Sequence, residues 1–579
     1  MIETVIKTAF KGPLEKLGIY EDDVTIELER PRDRSHGDLS TNLALMLAKR
    51  LKRKPRELAG ELAANLEIDR DVIESVEIAG PGFINFRFGR GYQIDRLLAV
   101  QSGKALEEIK TAGGKRINVE FISANPTGPL NVVSARAGAF GMTLCRLLDA
   151  VGYDAHSEYY VNDAGRQVTL LGSSLRAHYM QLRGREAAFP ENGYQGRYLE
   201  IMAGELLDQD SAAIQEAAKV FDNESFQRVT APDGNAEDWC ALEEQASIRC
   251  FAKYALMKIL GWQRETCRRF GLRFDTWYFE SELHETKRVE RTLETLKKRE
   301  QTFEEEGALW FRSTDFGDEK DRVLMRADGG PTYFLADLAY HHHKFQRGFE
   351  HSIDYWGPDH HGYIARMMGG MLALGVPEGW FEVEILQHVT FLEDGRPINM
   401  SKRKGQFVTM DQLMDEVGAD VAKFFFLMRK PNSHLDFDLD LARDQSSDNP
   451  VFYVKYAHAR ICSVLEKAAD SGLEVPEPDR DGLMALEDPA AWSLAGHVIR
   501  LPRVINAAAV SREPHRLTSY VTELSKAFHQ FYTECKVVDP EHEQRSRSRL
   551  MLCQLTRKAI ADALDIIGVE APKRLPDKE

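Results

Sequence analysis

Three short segments of this chain carry residue types that could hold and activate a nucleotide. The first runs from Ser123 through Asn125, Pro126, Gly128 and Pro129 to Asn131 and Ser134. It follows the alternating run Ile117, Val119, Phe121 and opens a helical period at Val133, Ala137, Phe140, Leu144 and Leu147. Free N–H groups at such a helix start suit a phosphate guest. The second is Trp356-Gly357-Pro358-Asp359-His360-His361-Gly362, again between a strand and a helix. Adjacent histidines do not converge on one ion, so nucleotide contact or helix capping fits them better than metal ligation. The third, Asn399-Met400-Ser401-Lys402-Arg403-Lys404-Gly405, sets three cations in a glycine-ended loop, suited to charge developing on a triphosphate. Singly, each has an ordinary reading as a turn, a cap or an exposed basic loop. Together they would meet at the carboxyl ends of strands, where open α/β sheets bind ligands.

The elements that must position them follow from periodicity. With 579 residues the chain exceeds one ordinary core, which implies three or four domains. Residues 1–107 read as a small α+β module: Glu57 to Leu66 has helical spacing, and Val76 to Phe88 alternates as paired strands around Gly80-Pro81-Gly82. Residues 108–441 read as a doubly wound, Rossmann-type nucleotide-binding domain, interrupted over 183–275 by a helical insertion rich in charge. Its second half is expected to resume near Trp310, with sheet character at Thr332 to Leu335, a strand at Ser352 to Trp356, a helix from Gly362 and a strand at Val383 to Phe391. Residues 442–579 form a separate all-α domain, with strong helical periods at Val451 to Leu465 and Leu550 to Ile567.

Composition excludes some classes. No run of about 18 apolar residues suggests a membrane span, and the N-terminus lacks an export signal. Seven scattered cysteines without a C-x-x-C pair suit a reducing cytosol and give no zinc framework. A net charge of −16 does not exclude a polyanion partner, because that needs only a local basic surface. Such clusters occur at Lys49 to Arg56, Lys402 to Lys404 and Arg545 to Arg549, each of which is also an ordinary solvated face. No G-x-G-x-x-G follows a strand, which argues against a dinucleotide redox enzyme.

The segment Ser123 to Arg136 (SANPTGPLNVVSAR) resembles the first signature of bacterial-type class I arginyl-tRNA synthetases, and Asn399 to Arg403 is similar to their Lys-Met-Ser-Lys signature. Tyr333 to His341, WGPDHHGY, Asp448 to Arg460 and His36 to Asn42 also look like that family, in its order along the chain. The resemblance implies an arginine–tRNA ligase that forms arginyl-adenylate from ATP, as its Mg2+ complex, and transfers arginine to the 3′ end of tRNA(Arg). It implies no structural metal and a cytoplasmic monomer. By the same resemblance Glu120, Ser123, Asn125, Tyr333, Asp337 and Asp359 would bind arginine, whose rigid guanidinium calls for carboxylates. Pro126, Gly128, Asn131, Ser134, Gly357, His360, Gln387, Val389, Met400 and Lys402 would bind ATP, with Asn131, Ser134 and Lys402 as the catalytic set. The helical C-terminal domain would read the anticodon, and the N-terminal module would touch the outer corner of the tRNA. The triple His341-His342-His343 reads as helix after Asp337 and not as a metal site.

The chain departs from the family pattern at the signatures. Asn131 and Ser134 stand where the family has histidines, Val133 where it has glycine, and Asn399 where it has lysine. Asn and Ser still donate hydrogen bonds but carry no charge, which costs about 1–2 kcal/mol per phosphate contact. Val133 should crowd an adenine lying against that backbone. An active ligase is favoured over a degenerate paralogue that binds tRNA or arginine without turnover, because the substrate carboxylates, Lys402 and both tRNA-contacting regions persist.

Overall fold

Alternation of buried apolar residues organises the described part of the chain into four small sheets and a helical bundle. The computed structural model describes residues 2–20, 24–31, 36–221, 226, 228–398, 409–473 and 475–575. The N-terminal sheet holds β1 (Leu39–Thr41), β2 (Ile73–Ala79) and β3 (Phe83–Phe88), all antiparallel in the order β1-β3-β2. Helices Leu43–Leu51 and Pro55–Ala64 cover it, burying Leu43, Leu47, Leu58 and Leu62.

The central sheet is built from β4 (Arg116–Glu120), β5 (Asp154–Val161) and β6 (Thr276–Phe279), and later from β10 (His351–Trp356) and β11 (Phe381–Ile385). All its pairings are parallel and its order is β11-β10-β4-β5-β6. The chain therefore moves outward from β4 in both directions, and the crevice between β4 and β10 is the topological switch point, where such sheets place ligands. Val119, Phe121, Tyr159, Val161 and Ile353 are fully buried in it. The helix Val132–Ala150 packs so closely on β4 that a Cβ on Gly141 would lie 2.1 Å from the Phe121 ring, so only glycine fits there.

Between the halves of the sheet, helices Arg166–Leu182, Arg197–Leu207 and Glu244–Arg269 form a packed group. Trp310 lies in β8 (Ala308–Phe311) of a separate antiparallel sheet with β7 (Thr302–Glu305) and β9 (Arg322–Met325). Two sequence expectations change. Thr332 to Leu335 is no strand: Thr332 is the N-cap residue of the helix Tyr333–Gln346, because Phe334, Leu335 and Leu338 bury one helical face. Val383 to Phe391 splits into β11 and β12 (Val389–Glu393). The break exists because Leu386 to His388 leave the central sheet for a third one, with β13 (Arg396–Pro397) and β14 (Leu435–Asp438). From Pro450 to Ile567 the chain is helical, with Pro450–Asp470, His515–Glu534 and Glu543–Ile567 packed together. No helix among the described residues is long and apolar enough to cross a membrane.

Candidate active site

Register alone creates the first feature of the site. Glu120 on β4 stands beside Glu158 on β5 and Asp354 on β10, so three carboxylates line up across the middle of the sheet. Like charges side by side inside a protein would be costly without partners. The helix Tyr333–Gln346 and the residue after it supply them. Lys344 Nζ donates to Glu120 at 2.6 Å and to Asp354 at 2.9 Å. Arg347 pairs with Glu158 at 2.6 Å, and the His341 ring lies 2.8 Å from Asp354. The Tyr340 hydroxyl sits 2.8 Å from Glu120 and 2.6 Å from Glu158. Burial raises the Asp354 carboxyl, but Lys344 and His341 outweigh it and hold the group down to about 2. Glu120, His341 and Asp354 also have metal-ligand spacing. The Lys344 ammonium already binds both acids, so the cation of this cluster is part of the chain.

One turn before His341 and two before Lys344, the helix carries another desolvated acid. Asp337, on the same helix, accepts a hydrogen bond from the Tyr363 hydroxyl at 2.6 Å, and burial raises its pKa. Glu280 follows β6 directly and is 7% exposed. Burial pushes it up to about 7; a hydrogen bond with Tyr160 opposes the shift, and the charges of Asp337 and Asp163 add to it. Asn162, with its amide turned to satisfy its neighbours, donates to Glu280 at 3.0 Å. His284, one turn on, lies 4.0 Å from Glu280. A desolvated acid raised further by neighbouring acids suits an incoming cation. Glu280 was not picked out by sequence reasoning. The available signal was an acid at the carboxyl end of a central strand, Tyr278-Phe279-Glu280.

The signature loop joins the two groups. The Ser123 hydroxyl donates to Glu120 at 2.7 Å and accepts from the Tyr160 N–H at 3.0 Å. Ile122 and Ser123 have φ of 72° and 42°, a left-handed conformation that costs energy for a β-branched residue and tends to cluster at functional sites. Helical side chains pin the rest of the loop. Gln263 donates to the carbonyls of Gly128 at 2.9 Å and Asn125 at 3.4 Å, and the Tyr198 hydroxyl donates to that of Thr127. Pro126 is buried and Asn125 exposed.

At the helix start, Asn131 is the N-cap: its Oδ1 accepts from the Ser134 N–H at 3.0 Å and lies 3.3 Å from the Ser134 hydroxyl. Ser134 is buried, so this pair first of all closes the helix terminus. Val133 is 41% exposed and points away from the core. Thr409 bridges Asn131 across the chain, and the Met410 N–H donates to the Leu130 carbonyl at 2.9 Å. Thr409, four positions past the third segment, thus abuts the first. Met400 and Lys402 themselves lie outside the described residues. Gly357 begins the 3-10 turn Pro358–Tyr363, on which Asp359, His360 and His361 are exposed. Of these, His360 is near enough to lower the pKa of Asp337. Tyr333 is 67% exposed at the mouth of the cluster. Gln387 lies in the connection between β11 and β12, and Val389 begins β12.

A parallel sheet with its switch point at a proline-glycine loop, and an inserted helical group holding that loop, define the catalytic domain of a class I aminoacyl-tRNA synthetase. A family model described as "tRNA synthetases class I (R), catalytic domain" matches residues 93–432, and it is flanked by matches to "Arginyl tRNA synthetase N terminal domain" over 4–88 and "DALR anticodon binding domain" over 454–575. An arginine–tRNA ligase of Moorella thermoacetica is 42% identical over 557 residues, 96% of this chain and 95% of its own. One of Bacillus subtilis is 41% identical over 577 residues, 99% of each chain. The solved structure of a putative arginyl-tRNA synthetase from Campylobacter jejuni superposes with a TM-score of 0.70 at 32% identity, over 84% of this chain and 100% of that one. That of the Thermus thermophilus enzyme gives 0.72 at 20% identity over 99% and 100%, which supports the fold. The chain belongs to the arginyl-tRNA synthetase family.

Proposed function

We propose that this chain is an arginine–tRNA ligase that takes the guanidinium of arginine between Asp337 and Glu280. A substrate carboxylate oxygen attacks the α-phosphorus of ATP, the bond to the β-phosphate oxygen breaks, and pyrophosphate leaves. A terminal ribose hydroxyl of tRNA(Arg) then attacks the adenylate carbonyl, loses its proton, and releases AMP. ATP enters as its Mg2+ complex. The observation that carries the reading is the desolvated acid Glu280, raised further by the charge of Asp337 and met by the His284 ring only at the long distance of 4.0 Å. Glu120, occupied by Lys344, would act through Ser123 and the loop. Asn125, Tyr333 and Asp359 stand exposed around the opening, suited to the substrate's backbone end.

Pro126, Gly128, Asn131, Ser134, Gly357, His360, Gln387 and Val389 surround the ATP position in this reading; Met400 and Lys402, assigned to ATP from the sequence, lie outside the described residues. The C-terminal helices offer a face for unpaired bases: Tyr456 stacks on His529 at 5.6 Å, and the Arg460 guanidinium lies 4.2 Å from the Tyr532 ring. Aromatic and guanidinium planes of this kind suit single-stranded anticodon bases. Arginine-dependent ATP–pyrophosphate exchange, with cognate tRNA present, tests the activity. Exchange supports the ligase. Folded protein that binds arginine or tRNA without exchange would establish the degenerate paralogue instead.

A further inference from the structure

Arg136 is fully buried on the signature helix, and each of its hydrogen bonds among the described residues goes to a backbone carbonyl. It donates to Gln387 at 2.6 Å and His388 at 3.3 Å on one side. On the other it donates to Lys430 at 3.1 Å, Pro431 at 3.4 Å and Ser433 at 2.8 Å. A buried guanidinium normally meets a carboxylate, and here burial alone shifts it, down to about 10. Five carbonyls from two separate segments replace the counter-ion. The segments also hold each other, since the Gln387 N–H donates to the Pro431 carbonyl at 2.9 Å.

A trans peptide is planar, so each carbonyl and the N–H that follows it point in opposite directions. With the Gln387 and His388 carbonyls drawn towards Arg136, the N–H groups of His388 and Val389 face the other way, on the side where His388 is exposed. The parallel pairing of Val389 with Leu435 agrees, because the Leu435 N–H donates to the His388 carbonyl and the Val389 N–H turns away from β14. Thr409, which follows the third segment in the sequence, bridges Asn131, five positions before Arg136.

We propose that Arg136 is the positioning residue of the nucleotide subsite, holding the Gln387–Val389 backbone so that its outward N–H groups meet the adenine of ATP. The proposal rests on the reading of this crevice as an ATP site. Arg136 touches no substrate. It makes the strand that meets adenine and the helix that meets phosphate one rigid unit, which is why a guanidinium with a wide fork of donors stands there. Lysine, a single point of charge, cannot span both carbonyl sets.

The test is equilibrium titration of the full-length protein with ATP and, separately, with arginine, for wild type, Arg136→Lys and His388→Pro. His388→Pro removes one outward N–H from an exposed position. ATP binding is expected to weaken by roughly tenfold or more in both variants, with arginine binding within about twofold of wild type. ATP binding within about twofold of wild type in either folded variant would overturn the proposal. So would equal weakening for both ligands, the mark of a general structural role. If Arg136→Lys does not fold, His388→Pro decides alone. The titration needs no turnover, so a chain inactive in exchange would overturn the ligase reading while leaving this test readable.

Discussion

One helix, Tyr333–Gln346, serves two groups of buried acids in opposite ways. Towards its C-terminal end, Lys344, His341 and the adjoining Arg347 neutralise Glu120, Glu158 and Asp354. Towards its N-terminal end, Asp337 adds a further acid to Glu280 and Asp163, and the main checks on their pKa values are hydrogen bonds from neutral groups. The first group is self-contained and holds the sheet to the helix. In the second, His341 and His360 lower Asp337, Arg228 lowers Asp163 and His284 stands 4.0 Å from Glu280, but burial outweighs them and an incoming cation would offset it. Buried carboxylates alone do not mark a binding site: burial raises Glu120 as well, and the difference lies in how closely the chain's cations approach, 2.6–2.9 Å for Lys344 against 4.0 Å for His284.

The comparison can be broken from either side. Lys344→Met should be the most damaging change, leaving Glu120 and Asp354 without their ammonium and costing about 3–5 kcal/mol of stability, read as a fall in denaturation midpoint. A variant as stable as wild type would mean the acid row needs no internal cation. Asp337→Asn should leave the fold intact and raise the KM for arginine by roughly 10- to 100-fold, the loss of one charged hydrogen bond, with the KM for ATP nearly constant. Equal losses for both substrates would move Asp337 out of the guanidinium site. Asn131→Ala should be mildest, costing about 1 kcal/mol as a lost helix cap. A loss of turnover far beyond that, at unchanged stability, would show that Asn131 works on phosphate as well as on its own helix.

Much of this arrangement was legible in the sequence, and what was hidden has physical reasons. The alternation of Ile117, Val119 and Phe121 and the period from Val133 gave the strand, loop and helix of the first segment, because one-sided burial writes itself into spacing. Tyr333 and Asp337 were named together as arginine-binding residues, although Thr332 to Leu335 was expected as sheet: Phe334 and Leu335 are both buried and suit either element. The pairing of Glu120 with Lys344 was not legible, since the partners lie 224 positions apart and only strand register brings them together. Arg136 was quoted only as the end of a motif. Its partners are main-chain carbonyls at least 251 positions away, and a backbone carbonyl has no letter in the sequence. Arg549, read within a basic cluster, proves to be a buried partner of Asp488, the ordinary outcome for such a cluster.

Proton release on arginine binding tests the central claim most directly. With Glu280 pushed up to about 7, the free protein holds part of this proton at neutral pH. A guanidinium favours the carboxylate, so binding should expel that proton and affinity should rise with pH through this range. The sign for folding is opposite: a raised carboxyl stabilises the free fold below its unfolded pKa, and that contribution is lost as pH rises through about 7. Calorimetric titration of arginine at pH 7, in buffers of different ionisation heat, should report net proton release in wild type and clearly less in Glu280→Gln. Arginine binding with no proton release in wild type, or with equal release in the variant, would contradict the account.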